Sequence, residues 1–169
     1  SQLLNDNARP MYSRATQERT APGSTFKPLS AVAGLCEGVI STSLSDTITC
    51  TGVYTKVSNH PKCWILTQNG GSHGAENVID AIKDSCNCYF YEVGFRLGST
   101  GNGMSNEVGL AKMAEYATMF GLGDKSGLET EESEPMISDE TVVPSAIGQG
   151  KHNYTVSQIA RYVTTIANG

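Results

Sequence analysis

Apolar positions along this chain recur mainly at helical spacing. From Ser24 onward, Phe26, Leu29, Val32, Ala33 and Leu35 fall mostly three or four residues apart, the interval that gathers side chains on one face of an α-helix. Pro28 lies in the first turns, where its missing N–H costs least, and Gly38 is placed to stop the run. A helix is therefore predicted to begin at Ser24. Asn77 can cap a short helix through Val78, Ile79, Ala81 and Ile82. The segment CYFYEVGFRLG sets Phe90, Val93 and Leu97 on one stripe. EVGLAKMAEYATMFGLG places Leu110, Met113, Ala114, Ala117 and Phe120 along one face, with Gly121 and Gly123 as stop signals, and is the clearest amphipathic helix. TVSQIARYVTTIANG aligns Val156, Ile159, Ala160, Val163 and Ile166, with Thr155 as its cap.

Between these runs the chain is polar and punctuated by glycine and proline. The opening residues up to Gly23 read as an extended approach, and Ser41 to Gly74 as irregular loop with at most short strands. Gly98, Gly101 and Gly103 resemble a phosphate loop only superficially: they follow a helix, and no Lys-Ser/Thr pair completes a nucleotide motif. They read as a flexible turn. No segment alternates strongly enough to be a confident core strand, and no internal repeat is present. The fold class expected is mainly α.

Composition narrows the function. With 169 residues and 18.0 kDa the chain suits one domain. A net charge of -5, with acids gathered at Glu129, Glu131, Glu132 and Glu134, excludes a phosphate-binding surface and makes nucleic acid an unsuitable partner. No stretch approaches a membrane span and the first residues do not resemble a signal peptide, so any targeting or anchoring element is expected outside this chain. Five cysteines fall at Cys36, Cys50, Cys63, Cys86 and Cys88 without a C-x-x-C pair. A Cys50–Cys63 disulfide closing the loop TGVYTKVSNHPK and unpaired thiols both fit this spacing. A zinc site from Cys50, His60, Cys63 and His73 is a further alternative, although its spacing matches no common zinc pattern.

Chemistry concentrates in two short elements. Ser24 and Lys27 stand one helical turn apart, so a hydroxyl and an amine share one face at a helix start. A serine is a usable nucleophile only if something takes its proton, and a lysine does so once desolvation lowers its pKa. Ser85-Cys86-Asn87 is the second element. Each four- or three-letter match is expected about once by chance in such a chain, so weight comes from their company and order. His60, His73 and His152 suggest a Ser-His-Asp arrangement, but no G-x-S-x-G element accompanies them; they read as surface or loop histidines. Cys86 and Cys88 read as buried packing thiols.

The wider text carries a family resemblance. PGSTFKP, from Pro22 to Pro28, resembles the nucleophile segment of high-molecular-mass penicillin-binding proteins of the class B type, in the serine β-lactamase and D,D-peptidase superfamily. SCNCYFYEVG resembles their second motif, His73-Gly74 fits the approach to it, and Ala146 to Gly150 (AIGQG) with Gln158-Ile159-Ala160 resembles their approach to a third. That resemblance implies that Ser24 attacks the carbonyl of a D-Ala-D-Ala stem peptide, Lys27 accepts its proton, Ser85 relays it to the leaving amine, and Asn87 hydrogen-bonds Lys27 and the substrate amide. It implies a peptidoglycan D,D-transpeptidase acylated by β-lactams, without cofactor or metal, working at the extracytoplasmic face of the bacterial membrane beside a glycosyltransferase. A D,D-carboxypeptidase and a β-lactam-sensing or binding module are the alternatives. The non-aspartate at Cys86 argues against a class A β-lactamase. No K-T-G follows Asn87, and the K-S-G at Lys125-Ser126-Gly127 stands before the Ala146–Gly150 approach rather than after it, so residues 1–169 are expected to be a partial transpeptidase domain: the helical lobe of an α/β fold, lacking most of its central antiparallel sheet and too incomplete for efficient catalysis.

Overall fold

The computed structural model describes residues 6–168. Among these, strand β1 (Arg19–Thr20) leads into a 3-10 turn at Gly23–Phe26 and helix α1 (Lys27–Cys36). Strand β2 (Ile48–Cys50), helix α2 (Trp64–Asn69), strand β3 (Gly74–Glu76) and helix α3 (Val78–Lys83) follow. Helix α4 (Asn87–Leu97), the hairpin of β4 (Ser99–Thr100) and β5 (Gly103–Met104), helix α5 (Asn106–Met119) and the short α6 (Val142–Ser145) come next. Strand β6 (Tyr154–Thr155) and helix α7 (Val156–Asn168) complete the order. The strands form three antiparallel two-stranded ladders, β1 with β6, β2 with β3 and β4 with β5. The fold is mainly helical, as its spacing predicts.

Helix α4 is the hub, touching α1, α3, α5, α6 and β2. Phe90, Val93 and Leu97, the stripe expected to be apolar, are fully buried. Burying a side chain of this size stabilises by about 2 kcal/mol, so this stripe holds the helices together more than the short ladders do. Gly94 lets α4 and α6 come close: a Cβ there would stand 2.9 Å from both Ala146 Cβ and Val142 O. On its outer side, α4 presents buried Glu92, which pairs with Lys56 (2.7 Å) and Arg96 (2.8 Å) and accepts the Tyr54 hydroxyl (2.8 Å). These partners fasten the loop around residues 54–56 to the helix.

Local signals are read correctly at several ends. Asn77 caps α3 by accepting from the Ile79 and Asp80 N–H groups. Thr155 and Gln158 form a reciprocal capping box, Gln158 N–H to Thr155 Oγ1 (3.3 Å) and Thr155 N–H to Gln158 Oε1 (2.9 Å). Gly38, with φ of +67°, follows the end of α1.

Four expectations need correction. The first α-helix begins at Lys27, with Ser24 on the 3-10 turn before it, because Gly23 (φ +56°) turns the chain and donates its N–H to Gly148 O. The Gly98–Gly103 connection is a hairpin rather than a loose turn. Residues 64–69 form a helix inside the expected loop. In α7 the buried residues are Gln158 and Tyr162, whereas Val156, Val163 and Ile166 are 61%, 48% and 41% exposed. Hydrogen bonds choose that face. Gln158 donates to buried Glu132 and to Ser133 O, and the Tyr162 hydroxyl donates to Thr25 O while accepting the Leu29 N–H.

Candidate active site

The 3-10 turn leaves Ser24 exposed and directs Lys27 inward, where it is only 2% exposed. An ammonium so enclosed needs acceptors, and three are supplied. Lys27 Nζ donates to Ser85 O (2.6 Å), Ser85 Oγ (2.9 Å) and Asn87 Oδ1 (2.7 Å). The Phe90 ring lies 5.8 Å from the same nitrogen. Burial brings the Lys27 pKa down to about 8, with Cys63 and Cys86 pulling the other way. Three of the four sequence-predicted site residues thus converge at the Lys27 amine. Lys27 joins Ser85 and Asn87 directly, and Ser24 stands one turn away on its own element.

The second element owes its shape to the end of α3. Ser85 N–H bonds to Ile82 O and Cys86 N–H to Ala81 O, the paired bonds of a Schellman stop. Its left-handed position usually falls to glycine, yet Ser85 occupies it with φ of +50°. Helix α4 then starts at once, with Asn87 as its first residue and Cys86 as its cap.

Residues 1–169 match the penicillin binding protein transpeptidase domain family along their whole length. The chain belongs to that family. It is 32% identical over 182 residues to the peptidoglycan D,D-transpeptidase MrdA of Haemophilus influenzae, an alignment covering 98% of this chain and 26% of the relative. It therefore spans about a quarter of that relative's length. The solved Pseudomonas aeruginosa PBP2 in complex with WCK 5153 superposes with a TM-score of 0.81 at 24% identity, covering 99% of this chain and 38% of the other. A chain from a structure describing polymerization and crosslinking by a peptidoglycan synthase complex superposes with a TM-score of 0.80 at 29% identity, covering 99% and 28%.

Behind the second motif of this transpeptidase-family chain lies a group that spacing alone did not reveal. Cys50, Cys63, His73 and Cys86 bring their ligand atoms within 4.8 Å of one another. His60, proposed for such a set from sequence, is exposed on its loop, and Cys86 takes its place. Cys50 and Cys63 are free thiols, so the alternative of a bridge between them is replaced by this cluster. The neighbouring Cys86 and Cys88 thiols draw the Cys63 pKa down, while Cys63 and burial push theirs up. Cys63 Sγ also accepts the Asn87 N–H at 3.3 Å, and His73 Nδ1 lies 3.6 Å from it. Three thiols and an imidazole form a donor set that suits a tetrahedral zinc ion.

Two further residues escaped the sequence reading. His152, expected at the surface, is buried against Phe26 with ring centroids 4.3 Å apart. Burial takes its pKa down to about 4, so it is neutral and accepts the Ser138 N–H at Nδ1. Trp64 donates its indole N–H to Asp84 O and Ser85 O, both at 3.1 Å. The only local signal for Trp64 is its place beside Cys63, since the partners lie some twenty residues downstream.

Proposed function

We propose that the protein containing this chain is a peptidoglycan D,D-transpeptidase acting through an acyl-serine, with residues 1–169 forming part of its transpeptidase domain. The observation that carries this reading is the buried Lys27 amine, held by Ser85 and Asn87 one turn from an exposed serine. A protonated Lys27 has all three N–H donors engaged. Once neutral, it keeps two donors and gains a lone pair that accepts the Ser24 proton. Ser24 Oγ then attacks the penultimate D-Ala carbonyl of a stem peptide, and the C–N bond to the terminal D-Ala breaks. The proton passes from Lys27 through Ser85 Oγ to the departing amine. An acceptor amine of a second stem peptide attacks the acyl-serine, forms the new amide and returns the proton that frees Ser24. A β-lactam follows the first half of this course, but its ring nitrogen stays tethered to the acyl group.

The family membership and the MrdA relative support this reading, and the synthase-complex neighbour supports a glycosyltransferase partner for the complete protein. No helix among the described residues is long and apolar enough to cross a membrane; the reading places the complete protein at the extracytoplasmic face, anchored by another segment. The Cys50, Cys63, His73 and Cys86 cluster is read as a zinc site that fastens the β2–β3 ladder and α2 to the Ser85 turn. The 169 residues alone are read as a poor catalyst, because the family resemblance implies that the rest of the sheet supplies one oxyanion-hole N–H, and losing one such donor typically costs about 100- to 1,000-fold. The complete protein, its Ser24→Ala variant and the isolated 169 residues are to be incubated with a fluorescent penicillin. We expect adduct mapped to Ser24 in the first, none in the second and slow labelling in the third. Undiminished labelling of the Ser24→Ala protein would overturn the assignment.

A further inference from the structure

We propose that Trp64 is the positioning residue of the Ser85 turn: its indole N–H holds the Asp84 and Ser85 carbonyls, and so keeps Ser85 in the left-handed conformation from which its oxygens reach Lys27. This inference rests on the reading of Ser24, Lys27, Ser85 and Asn87 as the acylation site.

The Schellman stop at the end of α3 explains why the chain turns at Ser85, and it also exposes a problem. A left-handed serine carries strain of order 1 kcal/mol that a glycine would not. The two stop bonds use the N–H groups of Ser85 and Cys86 but leave the Asp84 and Ser85 carbonyls without backbone partners. Those oxygens need donors where the turn is half-buried. Trp64 supplies one N–H, shared between them at 3.1 Å each. Lys27 supplies another to Ser85 O at 2.6 Å. The Ser85 carbonyl therefore stands between an indole on one side and the amine on the other.

The indole is itself held in place. Trp64 is the first residue of α2, and its ring packs against His73 with centroids 5.3 Å apart. The preceding residue, Cys63, accepts the Asn87 N–H. One dipeptide thus grips the motif on both flanks, the carbonyls of Asp84 and Ser85 before Cys86 and the N–H of Asn87 after it. Releasing the indole bond leaves the backbone free to relax toward negative φ. That rotation swings both Ser85 oxygens away from Lys27, while Ser24 and the substrate-facing surface stay as they are. Among the described residues the Trp64 side chain makes no hydrogen bond to Lys27 or Ser24, so its influence passes through Ser85.

The test uses the complete parent protein, with Trp64 replaced by 3-benzothienylalanine, which exchanges the indole N–H for sulfur and keeps the ring, and separately by Phe. Stopped-flow labelling with a fluorescent penicillin separates initial binding from the acylation rate constant. We expect the acylation constant to fall about 10-fold in both variants, with initial binding changed less than about 2-fold. Combined with Ser85→Ala, the Trp64 substitutions should cost less than about 3-fold more, because the hydroxyl they position is gone. A benzothienylalanine protein that acylates like the parent, or losses that multiply fully with Ser85→Ala, would overturn the proposal and leave the site reading intact. Absence of adduct at Ser24 in the unsubstituted parent would overturn the site reading, and this inference with it.

Discussion

Residues 22–36 and residues 63–87 meet at the Lys27 amine and reach it by different routes. The first region is contiguous: a glycine turn, a serine, and one helical turn later a lysine followed by Pro28. Spacing alone brings its two reactive groups onto neighbouring positions. The second region is assembled from pieces that are distant in sequence. Cys63 and Trp64 open α2, His73 precedes β3, and Ser85 to Asn87 join α3 to α4. Contacts across the fold, rather than periodicity, hold its serine in a left-handed turn. Substitutions in the first region should therefore change chemistry, and those in the second should change geometry.

The sharpest way to break this contrast is Lys27→Arg in the complete protein. A guanidinium stays protonated and cannot take the Ser24 proton, so acylation by a fluorescent penicillin should slow at least about 100-fold. Near-normal acylation would make Lys27 a structural lysine and erase the distinction.

A smaller effect is expected from the second region. If the thiol and imidazole cluster holds zinc, metal analysis of the parent protein purified without chelator should find close to one equivalent, and the cobalt-substituted protein should absorb as a thiolate complex. Stripping the metal should slow acylation about 10-fold and lower the melting temperature, since the ligands span three separate segments. Metal-free protein with unchanged acylation and melting would show that hydrogen bonds alone brace the Ser85 turn.

The same division explains what could be read from the residues. The helices around Phe90, Val93, Leu97 and Met113 follow from local spacing, and the Asn77 and Thr155 caps from local side-chain chemistry. Ser24, Lys27, Ser85 and Asn87 are legible because two short motifs occur in the family's order. The inner face of α7 was misread because its burial is decided by Gln158 and Tyr162, whose hydrogen-bond partners lie on other segments. His152 escaped for a similar reason: a lone histidine carries no local sign that Phe26 covers it. Three of the four residues proposed to hold zinc were legible. Cys50, Cys63 and His73 were named, but the fourth donor lies inside a motif already assigned to catalysis. Trp64 could not be read at all, because its role depends on carbonyls, which the sequence does not distinguish.

The central claim is that a buried, neutral Lys27 takes the proton from Ser24. The most direct measurement is the acylation rate of the complete protein by a penicillin across pH 6 to 10. Only the neutral amine accepts a proton, and burial sets its pKa at about 8, so the rate should rise close to tenfold per unit below that value and level off above it. A rate that is flat across the range, or that rises with the same midpoint in the Lys27→Arg protein, would contradict the claim.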